Sequence, residues 1–99
     1  MIISMRTARV QPGKIAEAVA AAKEVCTLAN ELTGTKTQAF VQIGGKVGTI
    51  CWISESKDLA EYEVANAKLA ANPEWQKLLQ RGPTLLVSGE TVDSIWRSI

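Results

Sequence analysis

Ninety-nine residues carry eleven basic and ten acidic side chains, two cysteines and no histidine, for a formal charge of +1. The length suits one domain over 1–99; the charges are dispersed, without the basic stripe of a nucleic-acid binder, and no run of roughly 18 apolar residues could span a membrane. The missing histidine removes the commonest metal ligand and general base; no metal site and no cofactor are expected.

Ile2 to Val10 predicts a strand, with Ile3, Met5 and Thr7 on one face and Ile2, Ser4, Arg6 and Ala8 on the other. Both faces are partly apolar, as in a sheet covered on both sides. Arg6 and Arg9 interrupt the start of the chain and no long apolar core follows, so no signal peptide is expected and the protein is expected in the cytoplasm. Gln11-Pro12-Gly13 ends the strand. A helix is predicted from about Lys14 to Glu31: Ile15, Val19, Ala22 and Cys26 recur at helical spacing, flanked by Ala18, Val25, Ala29 and Leu32. Glu17, Glu24 and Glu31 fall on its opposite side, and Gly34 can terminate it.

Thr35 to Ile43 and Lys46 to Ser54 predict two strands joined at Gly44-Gly45, since primed hairpin turns need positive φ. In the first, Thr37, Ala39, Val41 and Ile43 should meet the helices, while Gln38, Phe40 and Gln42 face away. The facing of Trp52 depends on the loop length, because a one-residue slip reverses every side chain; Trp52 is expected beside Gln38. Ser56 is the expected cap of a helix over about Lys57 to Ala71, whose inner face is Leu59, Tyr62, Asn66, Leu69 and Ala70. Asn72 reads as a second N-cap with Pro73 behind it, opening a helix of about two turns that ends at Gly82-Pro83. Trp75, Leu78 and Leu79 form one face of that helix. Thr84 to Trp96 predicts the last strand, with a bulge or bend at Ser88-Gly89.

This order predicts an α+β, ferredoxin-like β-α-β-β-α-β domain with an antiparallel sheet. The stretch Ala67-Lys68-Leu69-Ala70-Ala71-Asn72-Pro73-Glu74-Trp75, after a helix and before a final strand, resembles the dimeric α+β barrel superfamily, in particular its NIPSNAP-like and antibiotic-biosynthesis-monooxygenase-like branches. The resemblance implies a homodimer whose open sheets pack face to face, and a pocket between sheet and helices or within the barrel. Haem-degrading members use a histidine as iron ligand, which this chain lacks. Cofactor-free monooxygenases of the superfamily use Asn, Trp and Tyr in the pocket, and the resemblance puts Asn66, Trp75 and Tyr62 in that role.

Each candidate has a plainer structural reading beside it. Asn66, within an apolar helical face, is either a pocket amide or a structural hydrogen-bonding group. Trp75 and Tyr62 either wall a pocket or pack the core. Arg6 either holds an anionic ligand, pairs with a carboxylate or is solvated. Gln38, Phe40 and Trp52 are candidate ligand contacts, although the Gln38–Phe40–Gln42 face reads more simply as a dimer interface, to which Trp96 also belongs. Cys26 and Cys51 read as free thiols of a reducing compartment or as a bridged pair; without a histidine to activate it, Cys51 is no candidate nucleophile. No phosphate loop, zinc spacing or paired carboxylates are present. The function expected is binding of a small apolar or aromatic molecule, with two alternatives: a cofactor-independent monooxygenase acting on a phenol or hydroquinone, and a structural dimer without a ligand.

Overall fold

The computed structural model describes residues 1–99. Four strands, β1 (Ile2–Val10), β2 (Lys36–Val41), β3 (Thr49–Ser56) and β4 (Leu86–Arg97), form one antiparallel sheet in the order β2-β3-β1-β4. The helices α1 (Ile15–Thr33), α2 (Leu59–Ala70) and α3 (Pro73–Gln80) and the single turn α4 (Gly82–Leu85) connect them. This is the ferredoxin-like α+β arrangement: the first and third strands lie at the centre and the second and fourth at the edges.

The two sheet faces differ sharply. The face carrying Ile2, Ala8, Val10, Thr37, Ile50 and Ser56 is buried under the helices. Its densest region joins Val10 and Ile50 to Ala18 and Ala22 of α1 and to Leu85. The helix thus meets the sheet through alanines, which allow close approach. Ile15, expected on the inner face, is 46% exposed, and Ala18, Ala22 and Ala29 define the buried stripe instead. On the other face Ile3, Met5, Cys51, Ile53, Phe40, Val92 and Trp96 lie unburied.

Several boundaries depart from the sequence expectation. β2 and β3 are joined by a seven-residue loop over 42–48, with positive φ at Gly45 and Gly48 rather than at a Gly44-Gly45 pair. Gly48 has φ 93°, which breaks an extended strand, and its carbonyl accepts from Val10 N–H at 2.8 Å. The longer loop moves the register by one residue. Trp52 therefore pairs with Ala39, Gln38 pairs with Ile53, and Trp52 lies on the helix side of the sheet instead of beside Gln38. Gly82-Pro83 starts a helical turn, so β4 begins at Leu86 and not at Thr84; a proline at the first helical positions is pre-set for the helix. The expected bulge in β4 is present: Ala8 pairs with Thr91 and Val10 with Leu86, with Gly89 at φ 80° inside the extra stretch.

The cap of α2 is Asp58, not Ser56. Its carboxylate accepts from Glu61 N–H at 2.9 Å, while Ser56 is buried as the last residue of β3. Asn72 caps α3 as expected, accepting from Trp75 N–H at 3.0 Å ahead of Pro73. Asn72→Ala should lower stability by about 1 kcal/mol, the usual loss for a removed N-cap; urea unfolding measures it, and a change below about 0.3 kcal/mol would mean that this cap is replaced by water or a neighbour.

Candidate functional site

Helix α2 has no fully buried residue. Tyr62, Ala65 and Leu69 are half-buried, and Leu59 and Asn66, both expected inside, are exposed. The helices that roof the sheet turn mostly short side chains toward it, among them Ala18, Ala21, Ala22 and Ala65. Where Ala18 and Ala22 close on Val10 and Ile50 the layers touch; beside that contact the short side chains do not fill the gap between them. A cavity of about 520 Å³ remains there, within the range of small-molecule sites.

Strand pairing builds the floor. Ala39, Trp52, Arg6 and Asp93 are consecutive partners across the four strands, so they form one transverse row on the helix side. The adjacent row is Thr37, Ser54, Ser4 and Ile95, where the Thr37 and Ser54 hydroxyls share a hydrogen bond of 2.8 Å. The roof and end wall come from Tyr62, Asn66 and Leu69 of α2 and from Trp75 and Leu78 of α3. The cavity therefore has a polar floor and a mainly apolar roof.

Arg6 and Asp93 form a bidentate pair. Arg6 Nε donates to Asp93 Oδ1 at 2.6 Å and Nη2 donates to Oδ2 at 2.9 Å. This hydrogen bonding holds the Asp93 carboxyl below its ordinary range and the Arg6 guanidinium above its own, and Tyr62 adds a smaller push in the same direction on Arg6. Both side chains are about half exposed, so the pair orients Arg6 more than it stabilises the fold. Beside Arg6, the Trp52 indole Nε1 is covered and lacks a hydrogen-bond partner. A covered donor without an acceptor is costly and uncommon.

Of the residues singled out from sequence, Arg6, Trp52, Tyr62, Asn66 and Trp75 all border this cavity. Gln38 and Phe40 do not. They alternate away from Thr37 and Ala39 onto the open face, where Phe40 is 48% exposed. Asn66 is not the buried amide that its apolar neighbours suggest; it lies exposed where the cavity opens. Cys26 and Cys51 are unbridged, and Cys26 belongs to α1 while Cys51 sits on the opposite face of the sheet. Burial pushes both thiols up, away from nucleophilic thiolate. Asp93 and the hydroxyls of Ser4, Ser54 and Thr37 escaped the sequence reading. Antiparallel pairing of the first and last strands would have set position 93 near position 6, but only with the bulge placed. No group of three or more acidic or cysteine side chains could hold a metal ion, and no helix is long and apolar enough to cross a membrane.

Solved structures share this architecture. An uncharacterized NIPSNAP domain protein from Burkholderia xenovorans superposes with a TM-score of 0.84 at 19% identity, covering 100% of this chain and 95% of that one. A NIPSNAP family protein from Agrobacterium tumefaciens gives 0.81 at 20% identity, covering 99% and 92%. An antibiotic biosynthesis monooxygenase gives 0.78 at 13% identity, covering 100% and 99%. At such identities the likeness is one of fold. No curated protein matches the chain. The NIPSNAP family model matches residues 3–95, from the first central strand through the row holding Asp93 to Ile95, and the chain belongs to the NIPSNAP family.

Proposed function

We propose that this protein is a homodimer that binds a small, planar, mainly apolar molecule between its sheet and its helices. The observation that carries the reading is the cavity itself, roofed by alanine, leucine and aromatic side chains and floored by a few fixed polar groups. That is the usual make-up of a small-molecule site: apolar contact supplies affinity, and placed polar atoms fix orientation. The dimer is supported by the thin core, since only 11 of 99 residues are buried, and by the apolar groups left on the open sheet face. Two free thiols fit a cytoplasmic setting.

A naphthalene-sized probe tests the binding. In the ¹H–¹⁵N spectrum the three tryptophans give three indole signals. Addition of 2-ethylnaphthalene should move those of Trp52 and Trp75, which border the cavity, and leave that of Trp96, which lies on the other face. A spectrum unchanged at all three indoles would remove the binding reading and favour a structural dimer.

One observation favours a second reading. Asn66, Trp75 and Tyr62 border the same cavity, and the fold is shared with an antibiotic biosynthesis monooxygenase. An electron-rich phenol or hydroquinone would supply its own reducing power, molecular oxygen would be the oxidant, and the cavity would exclude water from the substrate anion. Oxygen uptake with a hydroquinone panel tests this. Asn66→Ala should reduce turnover about 100- to 1,000-fold if the amide orients substrate or oxygen, the size usual for one positioned hydrogen-bond donor. Unchanged turnover would take Asn66 out of the mechanism.

A further inference from the structure

The charges around the cavity are matched. Arg6, Asp93 and Arg81 are its charged lining residues. Arg6 is paired with Asp93, and Arg81 Nη1 donates to Glu24. No uncompensated cation therefore waits for a carboxylate. Hydrogen-bond donors are nevertheless in surplus on the floor. A guanidinium has five N–H groups; Asp93 takes one from Nε and one from Nη2, which leaves both on Nη1 and one on Nη2. The indole N–H of Trp52, the next residue in the row, also lacks an acceptor, but it is covered, so the free donors that face a ligand are those of Arg6.

We propose that Asp93 makes this cavity selective for uncharged oxygen acceptors, planar carbonyl compounds such as aryl ketones, over carboxylates. Asp93 neutralises Arg6 while holding its fork in a fixed orientation, so the unused N–H edge meets a ligand as an oriented donor and not as a net positive charge. A carbonyl oxygen needs only such a donor. A carboxylate would bring a second negative charge next to Asp93, with no free cation to balance it. The remaining lining is apolar enough to take the flat body of such a ligand. Asp93 is thus a specificity-determining residue that acts through Arg6. The inference rests on the reading that the cavity binds a small molecule.

Three naphthalenes of one shape separate the possibilities: 2-acetonaphthone, 2-naphthoate and 2-ethylnaphthalene. Dissociation constants are measured at neutral pH for the full chain, for Asp93→Asn and for Asp93→Glu. The unaltered protein should bind 2-acetonaphthone roughly tenfold more tightly than 2-naphthoate, because both oxygens can accept from the free N–H edge but only the carboxylate meets the Asp93 charge. Asp93→Asn should tighten 2-naphthoate by roughly tenfold and leave 2-ethylnaphthalene within about twofold, because only the anion feels the removed charge. Asp93→Glu keeps the charge and should keep the original preference. Naphthoate binding best to the unaltered protein, or a ketone-to-carboxylate ratio that Asp93→Asn leaves in place, overturns the selectivity while 2-ethylnaphthalene binding keeps the cavity reading intact. If none of the three binds the unaltered protein, both readings fall together.

Discussion

On the proposed dimer, Phe40→Asp should convert a particle of twice 10.7 kDa to a monomer in size-exclusion chromatography with light scattering. Phe40 is 48% exposed on the open face, in a transverse row with Cys51, Thr7 and Val92. The neighbouring rows add Ile53 and Met5, then Ile3 and Trp96. The rows also carry Gln38, Ser94, Lys36 and Glu55, so this is an apolar centre with polar groups among and around it, the make-up of a self-complementary contact. In a two-fold dimer the substitution enters twice. Each carboxylate buried without a partner would cost several kcal/mol. A loss of about 3 kcal/mol already raises the dimer dissociation constant more than a hundredfold. Phe40 lies outside the buried core, so the monomer's helix and sheet signals in circular dichroism should persist. A variant that keeps twice the chain mass would place the interface elsewhere and leave the open face unexplained.

Ile50→Ala should cost about 2–5 kcal/mol of stability. Ile50 is 1% exposed and is the largest fully buried side chain, packed with Val10, Ala18, Ala22 and Leu85. Val10, Ala18 and Ala22 are small, while Leu85, Leu86 and Trp52 also pack on this cluster, so how far these three shift sets where in that range the cost falls. For a domain of this size each kcal/mol corresponds to roughly 4–8 °C in melting temperature, which puts the expected drop at about 8–40 °C. Ile53→Ala, on the open face of the same strand, should lower the melting temperature less, provided both variants are compared at one protein concentration, since self-association stabilises by mass action. A drop below about 3 °C for Ile50→Ala would mean that the helix stripe of small residues does not close on the sheet as described.

The cavity was legible in part. The helical face containing Tyr62 and Asn66, and the Asn-Pro-Glu-Trp turn that brings Trp75 back toward the sheet, are local features readable from spacing and capping. Arg6 could be placed on a strand face shared with Ile2 and Ser4 by alternation alone. Its partner could not, because Asp93 lies 87 positions later and the bulge near Gly89 shifts the pairing between. The face of Trp52 is hidden from the sequence for a related reason. Its orientation follows from the count of residues in the loop over 42–48, and Gly44-Gly45 advertises a shorter turn than the one that forms.

By itself the sequence determined the α+β class, the order of the elements, the Asn72 cap, the alternation that separates Gln38 and Phe40 from Thr37 and Ala39, and the bulge near Gly89. Those depend on interactions within a few residues, on hydrophobic period and on the conformational needs of proline and glycine. Only the tertiary structure decided that Trp52 stands beside Arg6, that Asp93 takes up Arg6, that Asn66 is exposed at the cavity, and that alanines leave the space open beneath the helices. Those depend on strand register and on the distance between two layers, which are set by packing summed over the whole chain and are not encoded at any single position.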